Sequence, residues 1–149
     1  MEQTFITYIG AIPEHIWDIL TKPEYVKQIF FGSILQSTFE PGSSFQYVGP
    51  GSDGEETVHV YGTVLVFEPY RLMSFLEHPG PSYYANHAEL ESRITMTLET
   101  VGDCTKLVLV NDQWTANHPS QAKTPESWPI VLSNIKTLAE TGKTLNLGR

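Results

Sequence analysis

Four residues carry the most suggestive chemistry in this sequence: Phe45, Tyr47, His59 and Tyr61. Within each pair the spacing is two, which places both members on one face of a strand. Aromatic bodies with polar tips suit a ligand that is mostly apolar with one or two polar groups. Two arrangements satisfy the pattern. Either these four line a pocket, or they cluster on the outside and Val58, Val60, Val64 and Val66 form the inner face. Asn111 and Trp114 close a later strand; if Leu107 and Leu109 point inward so does Asn111, and its amide could orient a ligand. Trp128 and Leu132 share a helix face, as pocket wall or as ordinary core. Tyr83 and Tyr84 sit in the stretch from His78 to His87, which could act as a lid, a surface loop or a dimer contact.

Acid–base chemistry has three candidates, His59, Glu77 and Arg93. Arg93 is the weakest, because it alternates against Ile94 and Met96. No residue is assigned a catalytic role. His78, His87, His118 and Cys104 lack the short paired spacing of a zinc site, so no metal is expected. There is no G-x-S-x-G and no phosphate-binding glycine loop, so neither a serine nucleophile nor a nucleotide cofactor is expected.

The elements that must position these groups follow from periodicity. Thr4–Ile9 reads as a strand. Pro13 suits a helix start, with Ile12, Ile16, Ile19 and Leu20 at helical spacing, and a second short helix begins on Pro23. Strands are expected over Ile34–Phe39, Phe45–Val48, Thr57–Phe67, Arg71–Glu77, Ser92–Glu99 and Thr105–Trp114. Between them fall turn sequences such as Pro41-Gly42-Ser43-Ser44 and Gly102-Asp103. The last segment changes period: Trp128, Val131, Leu132, Ile135, Leu138 and Ala139 form an apolar helical stripe, with Ser127 as N-cap and Gly142 at C′. Strands around one long helix make an α+β architecture with a curved, largely antiparallel sheet.

Composition bounds the rest. The chain has 149 residues, 40% hydrophobic and 17% charged, enough apolar content for one packed domain over residues 1–149. Its net charge of -8 excludes a general attraction to nucleic acid. One cysteine permits no intrachain disulfide. Met1-Glu2-Gln3-Thr4 is not the start of a signal peptide, and no apolar run is long enough for a membrane insertion. A cytoplasmic protein is the expectation.

Both ends of the chain resemble one family. Ala11-Ile12-Pro13-Glu14-His15-Ile16-Trp17-Asp18 through Pro23-Glu24, followed by Phe30-Phe31-Gly32, is similar to the opening of the AHSA1-like proteins, named after the activator of Hsp90 ATPase. Pro41-Gly42-Ser43-Ser44-Phe45 resembles their Gly-Gly-x-Phe turn with serine for the second glycine. Gly62-Thr63-Val64, Glu68-Pro69 and Arg71-Leu72 resemble the central strand pair. Ser127-Trp128-Pro129 through Glu140-Thr141-Gly142 is similar to the terminal helix almost residue for residue. The resemblance implies the START-like (SRPBCC), Bet v 1-like helix-grip fold: two short helices after the first strand, then a sheet wrapped around the long C-terminal helix. It implies a hydrophobic pocket between that helix and the sheet, holding a lipid, polyketide or aromatic compound. It also implies a homodimer, a cyclase- or hydrolase-type enzyme in the same pocket, or an Hsp90-contacting stress-response partner, as further readings. The strand from Leu72 to Leu76 lacks the tryptophan many relatives carry near its end, so the pocket floor is expected to differ in shape.

Overall fold

The computed structural model describes residues 2–147, so the domain span expected above runs past these limits at both ends. Seven strands form one antiparallel sheet: β1 (Gln3–Ile9), β2 (Ile34–Ser37), β3 (Ser44–Pro50), β4 (Glu56–Glu68), β5 (Leu72–Pro79), β6 (Ser92–Val101) and β7 (Cys104–Asp112). Their order across the sheet is β1-β7-β6-β5-β4-β3-β2. The first two strands in sequence are therefore opposite edges, and α1 (Pro13–Thr21) and α2 (Pro23–Ile29) carry the chain between them. The long helix α3 (Thr124–Thr141) packs against β1, α1 and α2. This is the helix-grip arrangement.

Local sequence explains the element ends. Pro13 and Pro23 each open a helix where a missing N–H costs nothing. Gly142 closes α3 in the left-handed region, at φ 78°, its N–H donating to the Leu138 carbonyl. The helix starts three residues before the expected Ser127 cap. Pro125 occupies the first turn, Ser127 lies inside the helix with its hydroxyl donating to the Lys123 carbonyl, and Pro129 is an interior proline. One turn from the end, Lys136 pairs with Glu140 at 2.9 Å. Glu140 also accepts the Gly10 N–H at 2.7 Å, which joins α3 to the end of β1.

The helix-facing side of the sheet supplies the core. Leu98 and Leu107, Met96 and Leu109, and Phe75 and Ile94 are cross-strand partners, all buried. Against them lie Val131, Leu132, Ile135 and Leu138 of α3 and Ile16, Trp17, Ile19 and Leu20 of α1. Among the described residues no helix is long and apolar enough to cross a membrane.

Candidate functional site

A cavity of about 410 Å³ opens at one end of the grip, among β3, β4, β5, β6, the end of α2 and the start of α3. Its walls are chiefly apolar: Phe30, Phe31, Phe75, Ile94, Met96 and Trp128. Phe31 lies at its edge, half exposed and in a left-handed backbone conformation, φ 49°, rare for a bulky side chain. A second cavity of about 270 Å³ adjoins the first and shares His59, Val60, Glu77 and Tyr83 with it. Trp114, His118 and Lys123 are among the other walls of that smaller chamber.

Glu77 stands at the junction. It follows Met73 and Phe75 at a spacing of two on the inner face of β5, where the next inward position after two core residues holds a carboxylate. Among the described residues its carboxyl has no hydrogen-bond or ion-pair partner. Its side chain borders both cavities, and burial pushes its pKa up to about 7. Across β4–β5 its register partner is Gly62, where a Cβ would fall 1.9 Å from the Leu76 carbonyl oxygen, so only glycine fits there. The Tyr47 hydroxyl is pushed up first by burial and then by the Glu77 charge. An otherwise apolar cavity thus holds one unpartnered acid and one tyrosine that keeps its proton.

The spacing-by-two set divides between the two faces. Phe45 and Tyr47 face inward; Phe45 is fully packed against Phe75, with ring centroids 4.7 Å apart, and only Tyr47 lines the larger cavity. In β4 the register slips opposite Tyr47 and Val48: Tyr47 pairs with Val60, Val48 with Val58, and His59 is the extra residue. This bulge turns His59 and Val60 toward the same cavity and sends Tyr61 to the outer face. There Tyr61 stacks on His78 and bonds the Nδ1 of His87 at 2.6 Å, beside a more open depression of about 700 Å³. Of the alternative valine set, Val60 and Val64 face inward and Val58 does not.

His59 is engaged at both ring nitrogens. Nε2 lies 3.1 Å from the Pro50 carbonyl and must donate there, so Nδ1 accepts from the Tyr83 hydroxyl. Tyr83 thereby bridges the loop after β5 to the bulge and borders both chambers, while Tyr84 borders only the smaller one. His118 is nearly buried and stacks edge-on against Trp114; burial first, then His78, lowers its pKa.

Asn111, Trp114 and Trp128 come together as a hub. Asn111 is 1% exposed. Its amide donates to the Ser92 hydroxyl at 3.2 Å and the Arg93 carbonyl at 3.0 Å, and its oxygen accepts the Trp128 indole N–H at 3.2 Å. The Trp114 indole donates to the Asn111 backbone carbonyl at 3.3 Å. The amide is therefore spent on fixing Trp128, which lines the cavity, and does not itself line it. Leu132 lies one turn deeper in the core and lines neither chamber.

Arg93 points away from the cavity and makes a bidentate pair with Asp112 at 2.8 and 2.7 Å, which raises the pKa of the guanidinium and lowers that of the carboxyl. Arg93→Ala is expected to cost under about 1 kcal/mol, as for other partly exposed pairs, and to leave ligand affinity unchanged in a binding titration. The residues that spacing alone passes over are Phe30, Phe31, Phe75 and Met96. Glu77 stood out only as an acid–base candidate, although the Met73, Phe75, Glu77 alternation already places it inward. No group of described residues is arranged to hold a metal ion.

Comparison with known proteins follows the same lines. No curated protein matches the sequence. Protein Ms6760 from Mycobacterium smegmatis has a TM-score of 0.71 at 19% identity, over 94% of this chain and 91% of that one. The Aha1 dimer from Colwellia psychrerythraea gives 0.69 at 19% identity, over 96% and 98%. DynU16, a protein of the dynemicin biosynthetic locus, gives 0.72 at 20% identity, over 96% of this chain and 48% of that one. At these identities the likeness is one of fold. The sequence model of the activator of Hsp90 ATPase homolog 1-like proteins matches residues 11–140, from the entry to α1 through to Glu140 near the end of α3, and this chain belongs to that family.

Proposed function

We propose that this protein binds a mostly apolar small molecule in the cavity between α3 and the sheet, with the polar end of the ligand at Glu77 and Tyr47. The observation that carries this reading is the unpartnered Glu77 carboxyl in an aromatic cavity of about 410 Å³, a volume within the range of small-molecule pockets. A buried polar group without a partner costs stability, and a ligand is the partner that removes the cost. The Tyr83 hydroxyl on His59 supplies a latch through which the loop after β5 opens and shuts the site. The place of DynU16 in a biosynthetic locus agrees with small-molecule business on this fold.

Native mass spectrometry of gently purified protein is expected to reveal a retained molecule. A screen of apolar compounds is expected to raise the melting temperature by about 5–10 °C for ligands near a hundred times their Kd. A screen in which no compound shifts the melting curve, with no retained mass, removes the reading.

Glu77 also favours a second reading, a cyclase- or hydrolase-type enzyme in which this carboxyl moves a proton, since an acid that titrates near neutral pH can give or take one. Recovery of an altered ligand from the wild type but not from Glu77→Gln is its test. Two partner readings rest on the relatives alone. Homodimerisation, as in the Colwellia protein, is read by sedimentation, and Hsp90 contact, as in the family name, by pull-down and ATPase assay.

A further inference from the structure

We infer that the ligand is an organic cation: an amphipathic amine whose ammonium group pairs with Glu77 and whose apolar body lies against the rings of Phe30, Phe75 and Trp128. The inference rests on the pocket reading above and names the chemical class that the pocket selects.

The geometry supports it from three sides. First, among the described residues Glu77 is the sole Asp, Glu, Lys or Arg bordering the larger cavity, and its carboxyl has no partner there. A ligand carboxylate or phosphate would meet repulsion and no cation; an ammonium would meet its counter-charge. Second, Phe30, Phe31, Tyr47, Phe75, Tyr83 and Trp128 all border the same space. Aromatic faces attract cations, most strongly where water is excluded, and so many rings around one carboxylate suit an ammonium with an apolar body. Third, a net charge of -8 raises the local concentration of cations around the whole chain.

Other titratable groups near Glu77 do not compete for its charge. Tyr47 on β3 keeps its proton. On β4, His59 is engaged by Pro50 and Tyr83. On β5 itself, His78 gives its Nδ1 to the Leu90 carbonyl at 2.8 Å, and its Nε2 lies 3.9 Å from Glu91. Tyr84, His118 and Lys123 border the smaller chamber, where His118 uses its Nδ1 to accept the Ser120 N–H. Lys123 is an exposed residue, and among the described residues no ion pair joins it to Glu77.

Protonation linkage gives the test a sign. An ammonium ligand requires ionised Glu77. Near neutral pH the empty site is partly protonated, so binding expels a proton and affinity rises with pH through 7. A neutral hydrogen-bond acceptor would instead use the protonated acid, take up a proton and bind less tightly as pH rises.

The probes are naphthylmethylamine, the alcohol naphthylmethanol and the carboxylate naphthylacetate, titrated calorimetrically into the full chain in two buffers of different ionisation enthalpy. At about pH 8 the amine is expected to bind at least about tenfold more tightly than the alcohol, with the carboxylate weakest. Proton release is expected on amine binding near pH 7. Glu77→Gln is expected to abolish the preference for the amine over the alcohol; a cooperative melting transition at or above the wild-type midpoint excludes misfolding of this isosteric variant. Alcohol binding as tight as amine binding, or proton uptake with the amine, overturns the cationic class and leaves the pocket reading standing. Binding of none of the three overturns the inference together with the pocket reading.

Discussion

Glu77→Gln is expected to stabilise the empty protein by about 2 kcal/mol at about pH 8 and to change its stability little at about pH 4. Burial raises the Glu77 carboxyl from an ordinary 4.5 to about 7. The native state therefore holds this proton more tightly than the unfolded chain. The stabilisation due to the protonated acid is fully present below about pH 4.5, declines as pH rises toward 7, and is gone above that. Fully expressed, a difference of this size corresponds to about 3 kcal/mol; water that enters the cavity reduces it. Glutamine keeps the shape and carries no charge, so the variant should lose that decline. Asp112 and Glu140, both lowered by their partners, contribute in the opposite direction in acid. They are common to both proteins and cancel in the comparison. Urea unfolding of both proteins across this range measures the difference, and parallel pH profiles would contradict a buried ionising Glu77. The result bears on function, because a carboxylate whose burial costs the empty fold stability is one whose cost an oppositely charged occupant relieves.

The second large effect is a loss. Asn111→Ala is expected to destabilise the fold by about 3 kcal/mol. The amide satisfies the Trp128 indole, the Ser92 hydroxyl and the Arg93 carbonyl, and alanine leaves all three facing a void. Because Trp128 is both a cavity wall and a hub member, its fluorescence should shift to the red as the ring loosens. Trp128→Phe alone should cost about 1 kcal/mol, and the double variant less than the sum, since the two changes remove one shared bond. An Asn111→Ala midpoint within about 0.5 kcal/mol of wild type would mean that the Asn111–Trp128 hub contributes little to holding α3 on the sheet.

Periodicity made the helix stripe of Leu132, Ile135 and Leu138 legible, because a 3.6-residue repeat survives in any context that buries one face. The alternation Leu107, Leu109, Asn111 likewise placed Asn111 inward before any contact was known. The division of Phe45, Tyr47, His59 and Tyr61 between two faces was not legible. It depends on a bulge at His59, and no glycine or proline at that position announces one. The early start of α3 was hidden for a related reason: Pro129 resembled a first-turn proline, and the residue filling that place is Pro125. Cavity membership was the hardest to read. Phe30, Phe75 and Met96 are apolar residues of the kind that fill cores, and only the distance between α3 and the end of the sheet leaves room beside them.

The placement of β1 and β2 at opposite edges of the sheet constrains how the chain is made. Among the described strands β1 pairs with β7 alone, from Gln3 opposite Asn111 to Ile9 opposite Thr105. On a ribosome β1 emerges early and must wait, unpaired, until Asp112 has been synthesised. Meanwhile the strands from β2 to β6 can pair one after another with their neighbours. The sheet is expected to grow from the β2 edge and to close last at the seam between the earliest and latest strands. Its latest-forming hydrogen bonds then lie beneath α3, whose Lys136 donates to the carbonyl of Tyr8 in β1. Truncation before β7 is complete would leave β1 without its partner and β6 as an open edge, so interrupted synthesis is expected to expose strand edges that the full sheet covers.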